Sequence, residues 1–464
     1  MGSALASAGL YTFDASAALF SKDDLSIENI TQLYPVRVRR QIAPLNALDV
    51  KRAIEDWPGQ ISVGGGRYSM GGQVAISGGL HLDMRSMKAL VWIKPDEKKV
   101  RVQAGMRWRD LQDLLDPHNL SVRTMQSYAN FTVGGSVSVN AHGRYVGHGP
   151  IVSSVIALQM VLANGQIVET SRSANNTLFA AAIGAYGALG AITEVELALD
   201  ENFCIERFVE SVSLDDYPDF FRQHVLADPA SIMHNADLIP PSFNRAASVT
   251  WKRSDKSPTE PKRLIPRGQT YPLEASVLWA MTELPSGYKL RDSFVQPYLF
   301  GKPAVVWRNY EASRDVAMLE PTTRAFSTYI LQEYFVPVRH FRAFLQSMAA
   351  VLKNHAVVAA NVSVRHTPED TESMMAWARE EMFSFVLYYK QRIHAAAQAE
   401  VGKWTRELID LALKCEGTYY LPYQLHASQE QFDRAYPQAQ AFRQFKRHID
   451  PDGRFSNELW RKYL

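Results

Sequence analysis

The spacing of apolar residues changes between helical and strand periods along the first part of the chain. Residues 46–57 carry apolar side chains at helical spacing, and residues 60–63 then predict a strand that runs into a glycine-rich loop. Residues 107–119 (RWRDLQDLLDPHN) predict an amphipathic helix that ends at its proline. Between them lie three short β-rich segments, GGLHLDMRSM, ALVWIKP and KVRVQAG. The pattern is therefore mixed α+β and not a regular series of βαβ units.

A second glycine-rich segment, NFTVGGSVSVNAHGRYVGHGP, occupies residues 130–150 and leads into two apolar strands. The ANGQ sequence between these strands predicts a two-residue hairpin turn at Asn164 and Gly165. Residues 173–199 then predict a short helix, a stretch of small residues and another strand. Glycine becomes less frequent after this segment, which indicates a domain boundary.

Residues 203–415 are rich in aromatic side chains, and strands alternate there with amphipathic helices. This order predicts a second α+β domain with a broad sheet. The polar, proline-rich residues 251–272 predict a loop. In two strands of this domain alternate residues face opposite sides, and Arg365 and Lys390 are the charges on the polar side. That side either lines a pocket or is solvated.

Composition limits the classes of function that are open to this chain. Its 464 residues exceed what one hydrophobic core usually supports. Apolar residues make up 46% and charged residues 21%, as in ordinary globular proteins. The 50 basic and 48 acidic residues leave a net charge of only +2, which gives no electrostatic footprint for nucleic acid. We therefore expect a small-molecule partner and no nucleic acid.

The two cysteines and the first twenty residues indicate the cellular compartment of the protein and its relation to a membrane. Cys204 and Cys415 have no CxxC spacing, which argues against a disulfide framework or a zinc site and favours a reducing, cytoplasmic compartment. The first twenty residues include Asp14, lack a basic region and are too short to cross a bilayer. They predict an N-terminal arm over residues 1–28 and no transmembrane segment. Peripheral contact with a membrane stays open.

The first glycine loop, ISVGGGRYSMGGQ (residues 61–73), does not fit the common nucleotide motifs. Ser69 stands where a Rossmann motif has its third glycine, and a strand follows instead of a helix. The loop also lacks the lysine of a Walker motif. Successive glycines can still form a nest of backbone N–H groups that binds phosphate. A tight strand connection without a ligand is the alternative.

The order of the motifs along the chain resembles the vanillyl-alcohol oxidase and p-cresol methylhydroxylase (PCMH-type) family of FAD enzymes. TVGGSVSVNAHG (132–143), LANGQIVE (162–169) and ALGAITEVEL (188–197) follow the first loop in the order that this family shows. Within the family the chain is most similar to decaprenylphosphoryl-ribose oxidase and the sugar-lactone oxidases. The resemblance implies an α+β fold, in which a two-part FAD-binding domain accompanies a cap domain whose antiparallel sheet is flanked by helices.

The resemblance also implies domain bounds and a set of FAD-binding residues. The FAD-binding domain would span 29–202, the substrate (cap) domain 203–415, and residues 416–464 would return to the FAD domain. The residues implied to bind FAD are Gly64, Gly65, Gly66, Arg67, Tyr68, Ser69, Gln73, Thr132, Gly134, Gly135, Ser138, Asn140, His142, Gly143, Ile192 and Asn457. Tyr68 stands where many members carry the histidine that tethers FAD covalently. We therefore expect non-covalent FAD.

The end of the chain also carries a local prediction. HIDPDGRFSNELWRKYL contains a DPDG turn followed by a final helix, for which Ser456 is the predicted N-cap. The resemblance additionally puts Asn457 near the flavin ring. The two interpretations are compatible.

The implied activity is oxidation of a CH–OH group of a sugar, polyol, lactone or other alcohol by hydride transfer to flavin N5, with oxygen or another carrier as acceptor. We expect no metal. The implied catalytic residues are His142, Tyr423 and Glu333, and the implied substrate-binding residues are Arg144, Gln332, Glu333, Arg365, Lys390 and Tyr423. Tyr423 stands where decaprenylphosphoryl-ribose oxidase has its substrate-binding lysine, which argues against the same substrate. A flavin-dependent reductase or isomerase, or a non-catalytic flavin-binding protein, is the alternative.

Overall fold

The computed structural model describes residues 25–464 except Ile239, Pro241, Ser242 and residues 291–293. Most of the arm predicted for residues 1–28 therefore lies outside the described residues. Among the described residues no helix is both long enough and apolar enough to span a membrane.

Nineteen strands are present in the described residues. They are β1 (Leu25–Ile27), β2 (Val36–Val38), β3 (Arg40–Ile42), β4 (Ile61–Gly64), β5 (Leu80–Asp83), β6 (Leu90–Lys94), β7 (Lys99–Gln103), β8 (Leu120–Val122), β9 (Val155–Val161), β10 (Ile167–Ser171), β11 (Ala191–Glu201), β12 (Cys204–Ser213), β13 (Ser231–Leu238), β14 (Arg245–Arg253), β15 (Val305–Trp307), β16 (Ser327–Pro337), β17 (Ala359–Thr367), β18 (Met382–Arg392) and β19 (Thr418–Tyr419).

Thirteen α-helices accompany the strands in the same part of the chain. They are α1 (Ala47–Glu55), α2 (Trp108–Leu115), α3 (Val133–Ser138), α4 (Asn176–Ala182), α5 (Tyr217–Phe220), α6 (Pro272–Glu283), α7 (Gln296–Phe300), α8 (Arg308–Ala312), α9 (Phe341–Asn354), α10 (Ala395–Lys414), α11 (Gln429–Ala435), α12 (Ala439–Ile449) and α13 (Glu458–Tyr463). Mixed helix and sheet confirm the predicted α+β class.

The strands up to residue 201 form two main sheets. A small parallel sheet has the order β3-β5-β4, and all four residues of β5 are buried, as is usual where both faces of a parallel sheet are covered. An antiparallel sheet has the order β10-β9-β11-β7-β6, with β8 pairing to the far end of β11. A separate ribbon pairs β1 with β2.

The second part of the chain is built on one eight-stranded antiparallel sheet, β15-β12-β14-β13-β17-β18-β16-β19. Helices α9 and α10 pack on one face of it, beside β16 and β18. Strand β16, which lies next to the edge strand β19, has buried residues on both of its faces, because the opposite face lies against the first part of the chain. The predicted antiparallel sheet flanked by helices is therefore confirmed. The boundary predicted near residue 202 lies in the connection between β11 and β12.

Two local predictions were wrong by one residue. In the β9–β10 hairpin, the amide of Gly165 donates to the carbonyl of Leu162, so the central turn residues are Ala163 and Asn164. Gly165 follows with a φ of 80°, the left-handed conformation of a bulge that completes a longer loop. At the last helix the N-cap is Asn457 and not Ser456.

Candidate active site

A large cleft lies between the small parallel sheet and the eight-stranded sheet. It is lined mostly by apolar side chains, as small-molecule sites usually are. Its walls come from the loop after β4, from α3 and the residues that follow it, from β16 to β18, and from residues 420–423. The two glycine-rich segments and the cap sheet therefore meet in one space.

The first glycine loop packs so closely that side chains would not fit. A Cβ atom on Gly65 would collide with the Thr132 hydroxyl, and one on Gly66 would lie 2.9 Å from the Tyr68 ring. Neither of these glycines nor Ser69 makes a hydrogen bond to another described residue. Their amides line the cleft and are therefore available as donors to an anionic ligand.

Arg67 is held within this loop by a buried carboxylate. Its backbone has a φ of 62°, and its guanidinium lies 3.0 Å from Asp83, which Arg85 also contacts at 2.6 Å. Burial alone raises the pKa of Asp83, but the two arginines outweigh it and hold that pKa below its ordinary value. Burial, followed by the charge of Arg67, lowers the pKa of the neighbouring His81 to about 3. The loop therefore rests on a neutral histidine and an ionised aspartate.

Helix α3 forms the second wall. Thr132 is its N-cap and accepts a hydrogen bond from the amide of Gly135, 3.3 Å away. Gly134 lies against strand β7 so closely that a Cβ would be 2.5 Å from Cβ of Ala104. The helix ends at Ser138, and Asn140, which has a φ of 46°, turns the chain toward His142.

Asn140 fastens this turn to the cap domain. Its side-chain amide donates to Asp370 at 2.8 Å and to Ser373 at 3.0 Å, and its carbonyl accepts from the Trp377 indole at 3.0 Å. The residue is fully buried. These bonds hold the backbone two residues before His142 in place.

His142, Glu333 and Tyr423 meet inside the cleft. Nε2 of His142 lies 2.6 Å from Oε1 of Glu333, and the Tyr423 hydroxyl donates to Oε2 of Glu333 at 3.2 Å. His142 and Glu333 are both buried. Nδ1 of His142 is buried and has no hydrogen-bond partner among the described residues.

The charges around this group favour an ionised carboxylate and a protonated phenol. Burial alone raises the pKa of Glu333, but His142 and Arg365 outweigh it, so that pKa lies below its ordinary value. Burial and then the charge of Glu333 raise the pKa of Tyr423 well above its ordinary value. Tyr423 is therefore a protonated hydrogen-bond donor to Glu333.

Arg365 completes the polar part of the cleft. It lines the cleft on β17, and its guanidinium has neither a hydrogen bond nor an ion pair to any described residue. A charged group left unpaired inside a protein is costly, so the geometry suits a ligand oxygen at this position. The arrangement can thus bind an oxygen-rich molecule beside a carboxylate that accepts protons.

The segment that carries Tyr423 is fixed by the first glycine loop. The amide of Met70 donates to the carbonyl of Pro422 at 2.6 Å, and Nε2 of Gln73 donates to the carbonyls of Leu421 and Tyr423 at 2.7 and 2.6 Å. Gln73, predicted as an FAD ligand, is therefore engaged in joining the two ends of the chain.

Most of the predicted site residues line the cleft. They are Gly65, Gly66, Arg67, Tyr68, Ser69, Gln73, Thr132, Gly134, Gly135, Ser138, His142, Ile192, Glu333, Arg365 and Tyr423. Four predicted FAD residues lie behind its walls instead, namely Gly64, Asn140, Gly143 and Asn457. Asn457 caps α13 by accepting from the amides of Leu459 and Trp460, and its side-chain amide donates to the carbonyl of Tyr186.

Three predicted substrate residues also lie outside the cleft. Gln332 faces α10, where it donates to Thr405 at 2.8 Å, because neighbouring residues of a strand point to opposite faces. Arg144 pairs with Glu311 at 2.8 Å in an adjoining cavity. Lys390 pairs with Glu283 at the end of α6.

Sequence reasoning missed several aromatic residues of the cleft. Tyr420 donates from its hydroxyl to the carbonyl of Val139 at 2.8 Å, and its amide donates to the carbonyl of Glu333 at 3.0 Å. Tyr128, Tyr186 and Tyr388 also line the cleft. The alternation of residues 383–390 (FSFVLYYK) could have identified Tyr388, since it shares a face with Val386. No sequence pattern distinguishes Tyr128, Tyr186 or Tyr420 from other tyrosines of the chain.

Two family models match the chain, each over a different part. The family described as FAD binding domain matches residues 43–171, and the family described as D-arabinono-1,4-lactone oxidase matches residues 241–463. The chain is an FAD-dependent oxidoreductase. The resemblance to PCMH-type flavoproteins, with sugar-lactone oxidases among the relatives, is thereby confirmed.

Relatives of this flavoenzyme are oxidases and dehydrogenases. L-gulonolactone oxidase of Bos taurus is 24% identical over 408 residues, which are 87% of this chain and 89% of the relative. Cytokinin dehydrogenase 2 of Arabidopsis thaliana is 29% identical over 195 residues, 41% and 38% of the two chains. A putative D-arabinono-1,4-lactone oxidase of Neurospora crassa is 38% identical over 96 residues, 21% and 17% of the two chains.

The cleft of this flavoenzyme fits FAD. The amides of Gly65 and Gly66, which have no hydrogen-bond partner among the described residues, suit a phosphate group. Apolar side chains such as Ile192 and Val139 offer contacts to a flat ring. Among the described residues no group of three or more His, Cys, Asp or Glu side chains is placed to hold a metal ion.

Proposed function

We propose that this flavoenzyme oxidises a CH–OH group of a sugar lactone or a related polyol, with Glu333, held by His142, taking up the hydroxyl proton. The observation that carries the proposal is the buried group of His142, Glu333 and Tyr423 in the same cleft as the glycine loop. The names of the lactone oxidase relatives, one of which covers most of this chain, support the substrate class. The reductase and isomerase alternative is not favoured, since these relatives are oxidases or dehydrogenases.

The residues divide the work as follows. Bound FAD supplies the acceptor for the hydride. Arg365, which is otherwise unpaired, binds an oxygen of the substrate. The ionised Glu333 accepts the hydroxyl proton at Oε2, the oxygen that Tyr423 contacts, while the N–H at Nε2 of His142 donates to Oε1 and holds the carboxylate in place. Tyr423, which stays protonated, orients the carboxylate.

We propose further that FAD is bound without a covalent link. Tyr68 is the residue of the first loop that the family resemblance aligns with a tethering histidine, and its ring packs edge-on against Phe131 at 4.6 Å. Burial raises the pKa of Tyr68 to about 12, so its hydroxyl stays neutral. The one histidine among the described lining residues is His142, whose Nε2 is engaged by Glu333. Acid precipitation is expected to leave the flavin in the supernatant; a yellow pellet after washing contradicts non-covalent binding.

Oxygen is the electron acceptor that the oxidase names of the relatives support, and we place the enzyme in the cytoplasm. Cys204 and Cys415 are free thiols, which suits a reducing compartment.

The substrate is tested with purified holoenzyme. Five-membered aldonolactones, the matching open polyols and a set of simple alcohols are added anaerobically, and loss of the oxidised flavin absorbance is followed. We expect lactones or polyols to reduce the flavin fastest and admission of air to restore it with consumption of oxygen. Reduction by NADPH but by none of the alcohols would instead favour the reductase alternative.

A further inference from the structure

A second cavity adjoins the cleft on the cap side. It encloses about 1280 Å³ and shares the lining residues Tyr128, Leu319 and Tyr388 with the cleft. The hydroxyl of Tyr388 donates to the carbonyl of Leu319 at 2.6 Å, so these residues form the wall between the two spaces. We call this second cavity the side chamber. The side chamber is therefore a space into which a molecule longer than the cleft could extend on the cap side.

The side chamber is bounded largely by apolar side chains. Val249 and Trp251 of β14 belong to its floor, and Val277 and Met281 of α6 belong to its roof. A free sugar lactone is covered with hydroxyl groups and gains little from such walls. The walls instead suit aliphatic or aromatic carbon.

The arginines of the side chamber and Glu311 already have partners. Arg144 and Arg314 both pair with Glu311, at 2.8 and 2.9 Å. The guanidinium of Arg207 lies 5.7 Å from the ring centre of Trp251 and 5.3 Å from that of Phe300. These contacts leave the apolar surface of the chamber for a ligand.

The roof is apolar on its outer side as well. Helix α6 buries none of its side chains, and Trp279 is 54% exposed. Phe294 and Tyr298, which follow along the chain and also line the side chamber, are 42% and 57% exposed and stack on each other. Exposed apolar patches of this kind mark binding surfaces. An apolar group thus meets apolar residues both outside and inside the roof.

From this geometry we infer that the substrate is a hydroxylated head group carrying an apolar extension, an alkyl chain or an aryl ring, which occupies the side chamber while the head group lies beside Glu333. This inference rests on the proposed function and narrows its substrate class from free lactones and polyols to their apolar conjugates.

The test is binding of a homologous series to the holoenzyme. Butyl, hexyl and octyl β-D-glucopyranoside are titrated calorimetrically into the wild-type enzyme, the Val277→Trp variant and the Ser276→Trp variant. Val277 lines the side chamber, whereas Ser276 is exposed on the same helix. Because α6 buries no side chain, both variants keep the core intact, which the bound flavin spectrum checks.

In the wild type and in Ser276→Trp we expect affinity to rise by up to about fourfold per added methylene. In Val277→Trp this dependence disappears and octyl glucoside binds at least tenfold more weakly. No dependence on chain length in the wild type, or equal weakening in both variants, overturns the inference. Oxidation of short lactones is measured in parallel, so that a failure of the proposed function is seen separately from a failure of the side chamber.

Discussion

Nε2 of His142 lies 2.6 Å from Oε1 of Glu333, although the two residues are 191 positions apart and belong to different domains of the fold. His142 follows the α3 segment of the FAD-binding part, and Glu333 lies in the middle of β16 of the cap sheet. Both residues line the cleft, and their contact joins the wall formed by the FAD-binding part to the wall formed by the cap sheet. Docking of the cap on the FAD-binding part therefore assembles this pair, which neither part contains alone.

Replacement of Glu333 tests this group directly. In Glu333→Gln the amide keeps the shape of the side chain but removes the charge that accepts the proton, so we expect kcat to fall by about 10²-fold or more. The matched control is Glu381→Gln, because Glu381 also pairs with a histidine, His366, at 2.7 Å but lies outside the cleft. Steady-state oxygen consumption with the best lactone measures both. Equal activity of the two variants contradicts a role for Glu333.

Tyr423→Phe removes the hydroxyl that orients Glu333. We expect a smaller loss than for Glu333→Gln, on the order of tenfold in kcat/KM, because the carboxylate remains. Since the pKa of Tyr423 is raised well above its ordinary value, the wild-type rate has no alkaline limb from this residue. The pH profiles of the two proteins should therefore run parallel up to about pH 10. An alkaline limb that is present in the wild type and absent in Tyr423→Phe shows a phenolate base.

Buried neutral histidines predict a loss of stability in acid. Burial lowers the pKa of His234 to about 3, against about 6.5 in the unfolded chain. The folded state thus favours the neutral ring, and its contribution is complete above pH 6.5 and is lost as the pH falls from 6.5 toward 3. The slope is about 1.4 kcal/mol per pH unit for this residue.

The measurement is urea unfolding at pH 7 and pH 5. Between these values His234→Gln should lose about 2 kcal/mol less unfolding free energy than the wild type. Comparing the change within each protein cancels the cost of the substitution itself. His118→Gln, at an exposed position, should match the wild type. If the unfolding free energy of His234→Gln changes between pH 7 and pH 5 as much as that of the wild type, the pKa of His234 is not lowered in the folded state.

Gly134→Ala tests the packing of helix α3, which forms one wall of the cleft, against strand β7. The added Cβ would lie 2.5 Å from Cβ of Ala104, so α3 must move away from β7 at a cost of about 1–3 kcal/mol. We expect weaker flavin retention on gel filtration and a lower flavin-to-protein ratio. Gly149→Ala is the control, since its Cβ would lie 3.4 Å from Pro368, an ordinary contact. Full flavin content in Gly134→Ala means that α3 does not help to hold FAD.

Residue type alone identified the parts of the site that depend on backbone. Gly65, Gly66 and Gly134 are found where the motifs predicted, because close approach of two chain segments excludes a side chain. Alternation along the strands correctly separated Arg365, which lines the cleft, from its neighbours. The fold class followed from the change in apolar spacing.

The predictions that failed depended on partners distant in sequence. Arg144 lies only two residues beyond His142, but Glu311 draws it into the side chamber. Asn457 was placed at the flavin by resemblance, whereas the helix that it caps keeps its side chain behind the wall. Helix α10 covers the face of the sheet that carries Gln332, so Glu333, its neighbour in β16, faces the cleft. The sequence around these two residues does not show which face the helix covers.

The contact of residues 421–423 with the first glycine loop determines when the enzyme can acquire its flavin. Gln73 and Tyr423 are 350 residues apart, so the loop leaves the ribosome long before the segment that closes the cleft over it exists. We therefore expect stable flavin retention only after nearly the whole chain has been translated. A late premature stop codon would yield a protein that retains every glycine motif and yet remains colourless.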